Sequence, residues 1–261
     1  MPEYPTPWAT TVSPLSDVPV ELFEQYMDEF EVARATLVQP TFPGEENSYV
    51  ADCAAANPSR FAAVCVVDPR IPGASDRLDY WVRERGCKGL RLRPRIPAES
   101  AIFSHRSILP LWHRAAALKL VVSVYAGTEH LATVAALAER FPDVPILLDH
   151  MAHPDVAGGV KAATFQTLLD LERFPRLAVK VSGYSYYSGQ GYPYTDCAEL
   201  FRALYDRFGP TRLIWGSDFP HVLLKIGYRR SLLFQQRAYP FLSQADLDLI
   251  MGGNAAELYW S

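Results

Sequence analysis

The side chains best placed for chemistry in this chain sit where apolar runs end. In LIWGSDFPH (213–221), Leu213, Ile214 and Trp215 read as a short buried strand. Gly216 and Ser217 end it, and Pro220 prevents its continuation, so Asp218 stands just past the strand's carboxyl end. In PILLDH (145–150), His150 holds the same kind of position. Strand ends of this kind line the ligand crevice of α/β proteins. A carboxylate there can take a proton from water, and a histidine can stabilise the oxyanion that develops on an attacked carbonyl. KGLRLRP (88–94) adds Arg91 and Arg93, whose guanidinium forks match a carboxylate. LVVSVYA (120–126) adds Tyr125, and LAVKVSG (177–183) adds Lys180.

Each of these also has a structural reading. Asp218 could close a turn, Arg91 could pair with Asp149, and Lys180 could pair with Asp218. His153 and His221 lie one turn of loop beyond the leading residues, and His221 is kept as a substrate-binding candidate. His105, His113 and His130 fall in helical or pre-helical stretches and are expected at the surface. The Gly- and Tyr-rich stretch Gly183–Tyr194 is expected as a loop that forms a lid or a substrate wall.

Strand alternation assigns these side chains to faces. Val122 and Val124 suit the helix-facing side, turning Ser123 and Tyr125 inward. Leu90 and Leu92 likewise turn Arg91 and Arg93 inward, and Val179 and Val181 turn Lys180 and Ser182 inward. The same parity places His150 inside with Leu148 and Asp218 inside with Ile214. Buried charges are costly unless paired, so such an interior is expected to be a solvated polar site.

The elements that must position them alternate. Strands are expected at Ala35–Phe42, Phe61–Asp68, Lys88–Pro94, Leu120–Ala126, Pro145–His150, Arg176–Ser182 and Leu213–Asp218. Helices are expected at Glu21–Phe30, Asn47–Asn57, Ser75–Arg85, Ile108–Lys119, His130–Phe141, Thr164–Arg173, Ala198–Phe208, Ser231–Tyr239 and Ser243–Met251. Ser243 with Asp246 resembles a capping box, and Gly252-Gly253 is expected to end that last helix. Residues 1–19, with five prolines, read as an extended surface segment. Strands alternating with helices are the signature of parallel βαβ units, and no linker divides the 261 residues, so one domain is expected. Seven strands are one short of a (β/α)8 barrel.

Composition narrows the function. A hydrophobic fraction of 49% supports a core, and a net charge of −4 excludes the basic surface expected of a nucleic-acid or anionic-lipid binder. The four cysteines show no metal-ligand spacing and read as reduced thiols of a cytoplasmic protein. No signal peptide or membrane-spanning run is present. GxGxxG, P-loop, GxSxG and HExxH motifs are absent.

LVQP (37–40), KGLRLRP, LLDHMAHPD (147–155), KVSG (180–183), WGSDFPH (215–221) and GNAAELY (253–259) together resemble the amidohydrolase-related family of metal-dependent hydrolases. They are most similar to the branch that contains 2-pyrone-4,6-dicarboxylate lactonase. The resemblance implies a TIM-like (β/α)8 barrel, here lacking its first strand. It implies Asp218 as catalytic acid/base, His150 as the site histidine of the sixth barrel strand, and Arg91 as a carboxylate ligand. Family members begin with a strand carrying an HxH pair, and this sequence contains none. Either that strand lies upstream or the chain is shortened. His150 and Asp218 would then be two ligands of an incomplete site for one divalent metal, Zn or Mn, and a metal-independent route stays open. The expected activity is hydrolysis of a lactone on a small carboxylated metabolite, with Arg91, Arg93, Tyr125, Lys180 and His221 as substrate contacts. The rivals are metal-dependent decarboxylation of an aromatic or muconic acid, and an inactive barrel that binds a ligand or partner. A homo-oligomer is possible because an open barrel would expose strand edges.

Overall fold

In the computed structural model, residues 18–40, 46–93, 103 and 106–261 are described. The proline-rich opening through position 17, the end of the first expected strand at 41–42, Pro94 and His105 lie outside these residues. The chain divides into two compact units.

The first unit runs to Tyr125 and includes Asp143–Pro145 and Trp260. Helix α1 (Val20–Glu29) precedes strand β1 (Ala35–Val38), and α2 (Ser48–Ala56) leads into β2 (Phe61–Val66). Then come α3 (Ala74–Asp79), β3 (Gly89–Leu92), α4 (Ile108–Ala117) and β4 (Val121–Val124). The four strands pair in that order, all parallel. Every residue of β2, β3 and β4 is buried, as expected of strands covered on both faces. Helix α4 shows why: Ile108, Leu111, Trp112 and Ala115 recur at helical spacing and are all buried. Arg91 lies beside Val66 and Ser123 in register, while Leu90 lies beside Cys65 and Val122. Arg91 and Ser123 therefore share a face, as alternation requires. The expected helix Ser75–Arg85 changes pitch midway, with a π-helical turn over Tyr80–Glu84.

Asn47 is fully buried just before α2. Its amide accepts from the Val66 backbone N–H at 2.7 Å and donates to the Val66 carbonyl at 3.0 Å, pinning the end of β2. Asn47→Ala would leave both groups buried without these bonds, at a cost of roughly 2–4 kcal/mol. A urea denaturation midpoint lowered without a change in slope is the expected result.

The second unit comprises 126–142, 146–259 and Ser261. Its α-helices and strands, in order, are α5 (Leu131–Arg140), β5 (Ile146–Leu148), α6 (Ala163–Leu169), β6 (Leu177–Val181), α7 (Tyr184–Tyr187), α8 (Ala198–Phe208), β7 (Leu213–Trp215), α9 (Tyr228–Ala238), α10 (Gln244–Asp248) and α11 (Asn254–Trp260). Trp260, the last residue of α11, belongs to the first unit. Strands β5, β6 and β7 pair in that order, again parallel, with Leu148, Val179 and Leu213 in one row and Lys180 beside Ile214. Asn254 secures β7 by donating to the carbonyls of Pro210 and Leu213, both at 2.8 Å.

Three expectations need correction here. Ser243 and Asp246 do form the capping box of α10, but Gly252-Gly253 does not end the helical run. A π-helical turn over Leu249–Gly253 carries the chain into α11, because Gly253 keeps right-handed helical angles. The tyrosine-rich stretch is not all loop, since α7 forms one helical turn within it. Strand β5 ends at Leu148, so alternation does not set the direction of His150.

Candidate active site

Asp218 follows β7 by three residues, in left-handed backbone geometry (φ 54°). The turn around it is closed by other groups. Ser217 Oγ accepts the Phe219 N–H at 3.2 Å, and the Asp218 carbonyl accepts the Val222 N–H at 3.2 Å. Its carboxylate instead faces two side chains of the same unit. Oδ2 accepts the Tyr186 hydroxyl, and Oδ1 lies 3.9 Å from His150 Nε2.

His150 opens a run of four left-handed residues, His150 to His153, with φ between 50° and 55°. Each such non-glycine residue costs roughly 1–2 kcal/mol. Met151 and Ala152 within the run are fully buried, and the His153 N–H closes it on the His150 carbonyl at 3.0 Å. The His150 ring is buried, with Nδ1 2.8 Å from Ser182 Oγ. The rings of His153 and Tyr186 meet it edge-on, with centroids at 5.6 and 6.2 Å. Gly183 allows this crowding. At its φ of +77°, a Cβ would lie 3.1 Å from both His150 Nδ1 and Tyr186 Cδ2.

Lys180 does not pair with Asp218. Its Nζ donates to Asp149 Oδ1 at 2.6 Å, and the Asp149 side chain is fully buried. Gly216 makes room for the lysine stem, since a Cβ there would come within 3.1 Å of Lys180 Cδ.

Beside Asp218 opens a cleft walled by Ser182, Tyr184, Tyr186, Trp215 and Phe234 among others. Burial pushes the Tyr184 and Tyr187 phenols far above their ordinary range, so both stay neutral. Tyr187 donates to the Ser182 carbonyl at 2.5 Å, and Tyr184 accepts from Gln235 Nε2 at 3.1 Å. The Tyr228 phenol is pushed up to about 12 by burial.

In the first unit, Arg91 and Arg93 converge on Tyr125, with guanidinium carbons 5.4 and 4.2 Å from its ring centroid. Arg91 is buried and also donates to the Gln39 carbonyl at 3.4 Å. His221 is exposed at the start of a short 3-10 turn and does not line the cleft. His113 is exposed as expected, whereas His130 is half-buried, 3.5 Å from Glu129.

Two contributors escaped sequence reasoning. Ser182 was assigned a direction but no partner. Tyr186 is one of several tyrosines in its stretch, and nothing in residue type separates it from Tyr184 or Tyr187. The usable signal was Gly183, a residue that permits close approach directly after a strand.

As metal ligands, His150 and Asp218 offer two donors. Among the described residues no three His, Cys, Asp or Glu side chains are grouped to hold an ion. Zinc sites take three or four protein ligands, so these residues alone do not fit a complete site.

A model of the amidohydrolase family matches residues 13–260. The chain belongs to the amidohydrolase family. This amidohydrolase is 28% identical over 78% of its length to a 4-sulfomuconolactone hydrolase of Hydrogenophaga intermedia, and the match spans 66% of that relative, just under two thirds. Its fold is that of a probable 2-pyrone-4,6-dicarboxylic acid hydrolase of Acinetobacter baumannii solved with citric acid bound. The TM-score is 0.81 at 21% identity, covering 97% of this amidohydrolase and 93% of the other chain. An amidohydrolase of Burkholderia multivorans with bound zinc superposes with a TM-score of 0.79 at 24% identity, covering 94% and 89% of the two chains. Among the described residues, no helix of this amidohydrolase is long and apolar enough to cross a membrane.

Proposed function

We propose that this amidohydrolase opens a lactone, or a related ester-like ring, on a small carboxylated metabolite by hydrolysis. The observation that carries the reading is the meeting of Asp218 and His150, brought from the ends of β7 and β5 to 3.9 Å. Asp218 takes the proton of the attacking water as its oxygen bonds to the ring carbonyl. His150, with Ser182 donating to Nδ1, carries its proton on Nε2 and donates it as a hydrogen bond to the developing oxyanion. Collapse of the tetrahedral intermediate breaks the ring C–O bond, and the proton held by Asp218 passes to the leaving oxygen. In the first unit, Arg91, Arg93 and Tyr125 form a cluster whose guanidinium forks suit a carboxylate. Lys180, held on Asp149, is left a structural task. The names of the relatives, a sulfomuconolactone hydrolase and a probable pyrone-dicarboxylic acid hydrolase, support the substrate class.

The seven parallel strands support a TIM-like barrel in which they stand as the second to eighth. A divalent ion such as Zn or Mn would need donors beyond His150 and Asp218. Four free cysteines suit a reducing compartment such as the cytosol.

The test is a panel of carboxylated lactones and pyrones, followed by base uptake at constant pH and by CO2 release, with and without added Zn²⁺ or Mn²⁺. Ring opening without CO2 is expected. CO2 release without ring opening would replace hydrolysis by decarboxylation.

A further inference from the structure

We infer that Tyr186 is a positioning residue for Asp218, holding one carboxylate oxygen so that the other is the one that works. This rests on the reading of Asp218 as the base. The phenol donates to Oδ2, while Oδ1 is the oxygen turned toward His150 Nε2. A carboxylate at the mouth of a cleft, with its side chain 23% exposed, can otherwise rotate and present either oxygen. A hydrogen bond to a charged acceptor is strong enough to select one orientation.

The contact is built from several directions. The Tyr186 N–H bonds the Gly183 carbonyl at 2.9 Å, closing the single turn of α7. Gly183 in left-handed geometry brings the ring against His150, where any Cβ would crowd both side chains. The ring stands at 84° to the His150 imidazole, so one tyrosine touches both members of the proposed pair. Ser182, next to Gly183, holds the far nitrogen of the same imidazole. The segment Ser182–Tyr186 thus orients the histidine and the carboxylate together. Because Tyr186 is itself 45% exposed, losing its hydroxyl leaves no buried cavity.

The experiment compares Tyr186→Phe, Asp218→Asn and the double variant by kcat, KM and thermal melting, on whichever lactone the panel identifies. Tyr186→Phe is expected to lower kcat about 10- to 100-fold, with KM changed less than about twofold and melting unchanged. In the Asp218→Asn background the same change should have no further effect, since the tyrosine acts through the carboxylate. Wild-type kcat in Tyr186→Phe, an effect confined to KM, or a full additional loss in the double variant would each overturn the inference while leaving the hydrolase reading intact. Hydrolysis that survives Asp218→Asn at full rate would overturn both.

Discussion

Asparagine in place of Asp218 is expected to lower kcat for ring opening by about 10²- to 10⁴-fold, the range for removal of a general base. The amide is nearly the same size and keeps an oxygen able to accept the Tyr186 hydroxyl, so the local structure should persist. What it loses is the capacity to take a proton from water. KM should change little, because the amide keeps the size of the carboxylate and an acceptor oxygen. Melting temperature checks the fold, and steady-state kinetics separates the two constants. A fall in KM-dependent terms alone would make Asp218 a binding group. An unchanged kcat would remove it from the mechanism.

The largest stability effect should come from Lys180. Its ammonium is the partner of a carboxylate with no exposed side-chain surface, Asp149. Removing one member of a buried ion pair costs about 3–5 kcal/mol, because the remaining desolvated charge loses its oppositely charged neighbour. Lys180 is itself 16% exposed, which places Lys180→Met toward the lower end of that range. Removing both charges in Lys180→Met/Asp149→Leu should recover most of the loss. Urea unfolding of the three proteins, read at constant slope, is the measurement. Unchanged stability combined with a raised KM would return Lys180 to the substrate.

The alternation of apolar strands with amphipathic helices made the element order legible, because both periods are written directly in residue type. Strand facing was legible within β3 and β4, where regular pleating holds and Arg91 does share a row with Ser123. Beyond the strand ends the rule has no force. His150 leaves extended geometry at once, so its approach to Asp218 follows from backbone angles that no apolar pattern encodes. The pairing of Lys180 with Asp149 rather than Asp218 is hidden for a related reason: it depends on register between strands, which a single strand's sequence does not contain. Tyr186 was hidden by its neighbours, since identity marks a tyrosine and only the turn at Gly183 singles one out.

The left-handed turn after β5 has a further consequence for how this segment can vary. On a regular strand, neighbours point to opposite sides. Here the adjacent residues Asp149 and His150 reach Lys180 and Ser182, two positions apart on one side of the neighbouring segment. One dipeptide therefore carries both a fold-anchoring charge and a candidate site group. Surface loops ordinarily absorb insertions and deletions, but a one-residue change of length at this junction would displace both contacts at once. The Leu148–His150 junction is thus a point of fixed spacing as well as of fixed side chains.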